Sequence, residues 1–133
     1  MTLKKLLLPL LFLLNGCGDS GEVFVYDKNV KHLDCLSLLV FPPSKVISDS
    51  LKSKYKFSYE CKNELVVSYK NSITCNSNQN ADKKAKGLPK SYIRLEIKKD
   101  GNLVYTYYKD LNNNITKDDV LDGFEHIEKD LLN

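Results

Sequence analysis

The sequence predicts an α+β fold. A mostly antiparallel sheet of four to six strands carries two helices, at about residues 44–55 and 117–132, on one face of a two-layer sandwich. Three observations predict it. Asp100-Gly101 lies between two alternating segments, and a two-residue type I′ hairpin turn needs φ > 0 at both positions, which this pair tolerates. Two other segments repeat apolar residues at helical spacing, so each has a stripe that must be covered. The order is strand, helix, two strands, long loop, two strands, helix. A sheet with both helices on one face covers both stripes.

Taken in order, the chain of 133 residues begins with Lys4 and Lys5 ahead of an apolar run at 6–14, interrupted by Pro9. A bilayer span takes ~20 apolar residues, so this run is too short. It matches the h-region of an export signal, roughly 7–15 residues long. The run leads into Leu14-Asn15-Gly16-Cys17. These four residues resemble the lipobox of bacterial lipoproteins, with Leu three before the cysteine and a small residue just before it. Asn15 stands where Ala, Ser, Thr or Val is usual. The resemblance implies cleavage ahead of Cys17, diacylglycerol on its sulfur and an acylated (palmitoylated) amine. Several acyl chains, at ~0.8 kcal/mol per buried CH₂, hold a membrane stably where one does not. The chain then divides into a signal peptide (1–16), the lipidated Cys17 with a short tether (17–21), and a single periplasmic domain (22–133). Gly18, not Asp, follows Cys17. By the sorting rule of enteric lipoproteins this implies the outer membrane, facing the periplasm, with the inner membrane and the cell surface as the other addresses.

Loss of the signal changes the charge. It removes two of the 20 basic residues and none of the 17 acidic ones, so the formal charge falls from +3 to +1. Arg94 is the single arginine. A reader of phosphate or nucleic acid normally uses more, and an exported protein seldom meets nucleic acid, so none is expected as a partner. The charge is segregated: 19–42 is acidic, 43–109 basic and 110–133 acidic. Local pairing on a solvated surface accounts for this, and steering of a partner is the sharper alternative. With Cys17 a thioether, Cys35, Cys61 and Cys75 remain in an oxidising compartment. Three thiols allow one disulfide in three pairings. Cys61–Cys75 closes the shortest loop and leaves Cys35 as a buried thiol; alternatively Cys35 pairs and one of the others is free.

Residues 22–26 are a first strand or part of the tether. Residues 35–41, Cys-Leu-Ser-Leu-Leu-Val-Phe, form the most apolar stretch of the mature chain and predict a central strand buried on both faces. Pro42-Pro43 ends it. Pro43 and Ser44 start the first helix, with Ile47, Leu51 and Tyr55 on one face. Strands at 57–61 and 65–70 follow around a Lys62-Asn63-Glu64 turn. The crossover from 35–41 through the helix favours parallel pairing. Residues 71–90 are a long, Asn-rich, basic loop, of a length that is functional or mobile; Ile73 and Cys75 form a short strand at its start. In the hairpin of 92–98 and 103–109, Lys99 pairs with Asn102. Simple alternation then puts Ile93, Leu95, Ile97, Val104, Thr106 and Tyr108 on the core face. Tyr92, Arg94, Glu96, Lys98, Leu103, Tyr105 and Tyr107 take the other. Thr116 to Asp119 forms a capping box with Asp in place of Glu. The last helix carries its stripe on Val120, Leu121, Phe124, Ile127 and Leu131. Gly123 in it costs about 1 kcal/mol relative to Ala.

Little in the chain points to catalysis. His32 and His126 are its two histidines, and neither is near a cysteine in sequence. No nucleophile elbow, zinc-binding helix or phosphate-cradling glycine loop occurs. Asp118, Asp119 and Asp122 lack calcium-loop spacing and are helix-start and surface charges. No catalytic residue, metal or cofactor is expected. The candidate binding surface is the helix-free face, Tyr92, Arg94, Tyr105 and Tyr107, because Tyr and Arg combine contact area with hydrogen bonding. Exposed tyrosines also occur merely because Tyr suits strands. Lys83, Lys84 and Lys86 in the long loop extend this surface toward acidic groups.

The expected function is a lipid-anchored, non-enzymatic binding or assembly factor for another envelope protein. The alternative is a module for an anionic glycan or lipid headgroup. In element order the chain loosely resembles the lipopolysaccharide-assembly lipoproteins of the outer membrane. That resemblance rests on the lipobox and on two helices over a sheet.

Overall fold

The computed structural model describes residues 21–71 and 91–132. The expected signal peptide, Cys17 and the expected tether as far as residue 20, the expected short strand at Ile73 and Cys75, and Lys83, Lys84 and Lys86 lie outside the described residues.

Five strands form one sheet among the described residues. They are β1 (Glu22–Val25), β2 (Ser37–Phe41), β3 (Asn63–Lys70), β4 (Ser91–Lys99) and β5 (Asn102–Leu111), in the spatial order β1-β5-β4-β3-β2. The β2–β3 pair is parallel and the other three are antiparallel. Parallel neighbours need a crossover of a dozen or more residues; here it contains helix α1 (Lys45–Lys54). Helix α2 (Lys117–Ile127) continues into a π-helical turn at Glu128–Leu132. The buried residues of both helices share one apolar cluster with Leu65, Val67, Ile93, Leu95 and Ile97 of the sheet. The fold is therefore α+β, with the helices on one face.

Helix starts are chemically explicit. Ser44 caps α1 by accepting from the Ile47 N–H at 3.3 Å. Thr116 and Asp119 form a reciprocal capping box: the Thr116 N–H donates to Asp119 at 2.8 Å, and the Asp119 N–H donates to the Thr116 hydroxyl at 3.4 Å. Each satisfies orphan donors of the first helical turn. Both flanks of the segment 72–90 are tied near the turn before α2. Ser91 donates through its hydroxyl to the Asn113 carbonyl, and the Ile115 N–H donates to the Asn71 side chain at 2.8 Å.

Three expectations about the sheet are corrected. The apolar segment 35–41 yields β2, but as an edge strand, with Leu39 49% and Phe41 66% exposed. Residues 57–61 are not a strand. The Ser58 N–H donates to the Leu36 carbonyl, and Phe57 turns into an aromatic cluster with Tyr55 and Phe124. A disulfide, Cys35–Cys61, with Cα atoms 5.9 Å apart, fastens this segment to the start of β2. The pairing with Cys35 is thus the one formed, and Cys75 lies outside the described residues.

The third correction concerns the hairpin. Asp100 and Gly101 have φ of 52° and 83°, and Lys99 pairs with Asn102 as expected. The alternation then breaks. Lys98 faces Leu103, but Ile97 faces Tyr105, so Val104 is an inserted residue, a β-bulge. Its carbonyl accepts from the Tyr26 N–H at 2.9 Å as β1 ends. Beyond the bulge every side chain changes face. Tyr105 and Tyr107 point into the core, 0% and 1% exposed, whereas Thr106 and Tyr108 occupy the helix-free face.

The two buried tyrosines hold α2 to the sheet. The Tyr105 hydroxyl donates to Asp130 at 2.6 Å, an acceptor carried by the π-helical turn. Tyr107 lies against Gly123, where a Cβ would fall 2.8 Å from its ring. It also stacks on His126 with centroids 5.1 Å apart. His126, expected at the surface, is half-buried for that reason.

Candidate functional site

The sheet face that carries no helix among the described residues, the helix-free face, is assembled by register. One row across the sheet is Glu22, Tyr108, Arg94, Ser68 and Phe41; the next is Phe24, Thr106, Glu96, Val66 and Leu39. A third row brings Lys70, Tyr92 and Asp110 together. Period-2 alternation on five neighbouring strands creates these rows, and the bulge decides which tyrosines join them.

Arg94 is exposed at the centre of this surface. Its Cζ lies 5.6 Å from the Tyr108 ring centroid and 5.8 Å from that of Tyr92. The two rings stack with centroids 5.8 Å apart and planes inclined by 22°. Both cation–ring distances are within the ~6 Å at which ring quadrupoles attract a guanidinium. The Tyr108 hydroxyl donates to Asp110 at 2.7 Å. Burial, then the hydrogen bond to Asp110 and its charge, push the Tyr108 phenol up to about 12, while Arg94 acts in the opposite sense. The ring is thus neutral and its position fixed. The guanidinium keeps planar donors that suit a carboxylate, sulfate or phosphate. Phe24, Leu39 and Phe41 add exposed apolar surface to the same face.

Thr106, 6% exposed, sits beside Glu96 on this face, and its hydroxyl has no hydrogen-bond partner among the described residues. Buried polar atoms are ordinarily paired.

Of the expected site residues, Tyr92 and Arg94 come together. Tyr105 and Tyr107 do not join them: the bulge buries them beneath α2. Tyr108, expected in the core, takes the place beside Arg94. One signal for this was in the chain. Gly123 lies beside Phe124 on the buried side of the last helix, which implies a bulky partner pressed against its backbone. Tyr107 is the ring that fills this place; simple alternation would have turned Tyr108 inward instead, so the glycine marks the contact without choosing the tyrosine.

His32 is exposed, with φ of 55°, and His126 is committed to Tyr107. Among the described residues no group of three or more His, Cys, Asp or Glu side chains is placed to hold a metal ion. No protein-family model, characterised protein or solved structure matches the chain.

Proposed function

We propose that the chain is a lipid-anchored protein of the bacterial envelope, held at the outer membrane through Cys17. It acts without catalysis of its own, as a binding or assembly factor for another envelope protein. Its binding surface is the helix-free face centred on Arg94. The observation that carries this reading is the Tyr92–Arg94–Tyr108 stack, an exposed cation immobilised by two rings on a sheet face that neither helix covers. Ordering an arginine before binding reduces the entropy lost when it docks, and Arg and Tyr are the residue types most enriched at binding hot spots. The lipobox residues Leu14 to Cys17 support the anchor. Among the described residues no helix is long and apolar enough to cross a membrane.

The test is crosslinked pull-down from intact envelopes with wild type and with Arg94→Ala or Tyr108→Ala. A protein partner recovered with wild type, and weakened by about tenfold or more in the variants (roughly 1.4 kcal/mol), supports the reading. Recovery of lipid or glycan with no protein refutes it. Labelling with a palmitate analogue, abolished by Cys17→Ala, tests the anchor separately.

A second reading is favoured by the same guanidinium. Its donors, unshared among the described residues, and its flanking rings suit an anionic glycan or lipid headgroup. That reading predicts binding which collapses with added salt, whereas an apolar protein interface persists.

A further inference from the structure

The edge beside β2 differs from the helix-free face in its chemistry. Between β2 and α1 runs a groove of about 270 Å³, floored by Leu38 and Val40 and walled by Tyr55, Phe57 and Tyr59. Lys52 and Lys56 stand at its side. Drug-sized ligands occupy roughly 300–1,000 Å³, so this space suits one or two side chains better than a whole small molecule. Tyr59 is 91% exposed although it lines an apolar groove. Leu39 and Phe41, on the opposite face of the same strand, are also exposed.

The backbone completes the picture. Among the described residues β2 pairs with β3 on one side and with no strand on the other. In a parallel ladder alternate residues turn their N–H and C=O away from the neighbour. Ser58 already occupies the Leu36 carbonyl, and Pro42 and Pro43 follow the strand, so the unpaired edge is limited to Ser37–Phe41. A strand added there sends alternate side chains into the groove and onto Leu39 and Phe41, the pattern of recognition by strand addition. The groove's cations decide the occupant. Two copies of this chain joined through β2 would bring Lys52 and Lys56 together with their counterparts, like charges with nothing from the groove to oppose them. An acidic segment would neutralise them.

We infer that the β2 edge and its groove bind an extended segment of a partner polypeptide, with apolar residues at alternate positions and a flanking carboxylate. This goes beyond the reading above: the two surfaces share Leu39 and Phe41, but this one is centred on the β2 edge and the groove, and Arg94→Ala tells them apart. It therefore stands or falls separately.

The test pans a display library of random linear peptides against the full mature lipoprotein in nanodiscs, with empty nanodiscs as the counter-selection. Selected peptides are then synthesised and measured by fluorescence anisotropy and amide chemical shifts. The expected result is enrichment of alternating apolar residues with Asp or Glu beside them. Amides of Ser37–Phe41 and of the groove residues shift on binding. Lys52→Glu with Lys56→Glu lowers affinity at least about tenfold, or roughly 1.4 kcal/mol; Arg94→Ala leaves it unchanged. All three substituted residues are exposed, and the wild-type shift map does not depend on the variants folding. The inference is overturned by no such enrichment, by affinity indifferent to the charge reversal, or by shifts confined to the Arg94 face. Signals from β2 that change with protein concentration alone would also overturn it, since a second copy would then hold the edge.

Discussion

Replacing Gly123 with Ala should destabilise this protein, although the same change in an exposed helix stabilises. Helix propensity favours Ala over Gly by about 1 kcal/mol. At Gly123 the added Cβ would lie 2.8 Å from two carbons of the Tyr107 ring and 3.3 Å from Leu95 Cδ1. The ring has little room to retreat. It is buried, stacked on His126, and close enough to Gly21 that a Cβ there would also meet its hydroxyl end, 2.7 Å away. Overpacking of a filled core costs roughly 1–3 kcal/mol. Set against the propensity gain, the net loss centres on about 1 kcal/mol, a fall of roughly 4 °C or more in Tm. Urea denaturation of wild type, Gly123→Ala, Tyr107→Leu and the double variant measures it. In the Tyr107→Leu background the clash disappears and Ala regains its advantage, so the cycle should yield a coupling of about 1–3 kcal/mol. A single variant stabilised by about 1 kcal/mol, with no coupling, would refute the close approach of Tyr107 to α2.

Removing the Cys35–Cys61 bridge with paired Ser substitutions frees a loop with a sequence separation of 26 and should cost roughly 3.5 kcal/mol by chain entropy; an unchanged urea midpoint would contradict the pairing. The pH dependence follows from tyrosines whose phenols are raised in the folded state, Tyr108 to about 12 and Tyr55, Tyr105 and Tyr107 in the same direction. The unfolded chain loses these protons first, near pH 10, so stability is full below pH 10 and falls as pH rises toward 12 and beyond. Denaturation midpoints and phenolate absorbance across pH 9–12 check both, and Asp110→Asn should bring the Tyr108 titration down. Thr106→Val removes a buried hydroxyl that has no partner among the described residues and should stabilise by about 1 kcal/mol; a loss of that size would mean the hydroxyl is bonded.

The parts of the fold that are legible in the chain are those with local chemical causes. Ser44 and the Thr116–Asp119 box act within one helical turn, and Asp100-Gly101 within one hairpin, so neighbouring residues suffice to read them. A parallel partner for β2 was legible because a helical crossover leaves few other arrangements, but its identity was not: residues 57–61, the first strand expected after the helix, are not a strand, and β3 takes that place. The apolar segment 35–41 misled for a global reason: apolarity indicates that a strand is buried by something, not that the burying element belongs to the same sheet. Residues 57–61 alternate like a strand, yet the Cys61 disulfide and Phe57 packing against Phe124 override that pattern. The candidate site was half legible. Tyr92 and Arg94 lie before the bulge and keep the expected face; Tyr105, Tyr107 and Tyr108 lie after it and exchange faces. No residue near Val104 announces an insertion, because Val suits a regular strand as well as a bulge.

That single inserted residue links the core to the surface. Without it, β5 would turn Thr106 and Tyr108 toward α2 and leave Tyr105 and Tyr107 outside. Asp130 would then lose its donor and the gap at Gly123 its ring, while Arg94 would face Tyr107 with no Asp110 to hold the phenol in place. With it, the run Tyr105-Thr106-Tyr107-Tyr108 is divided by face into two anchors for the last helix and one support for the arginine. The bulge carbonyl also accepts from Tyr26, so the end of β1 is fixed by the same residue. A bulge that re-aims side chains and bends a strand is a common device beside functional surfaces. Here the requirement that α2 be pinned by two rings is enough to impose it, and the Tyr108–Arg94–Tyr92 arrangement follows from the register that the core demands.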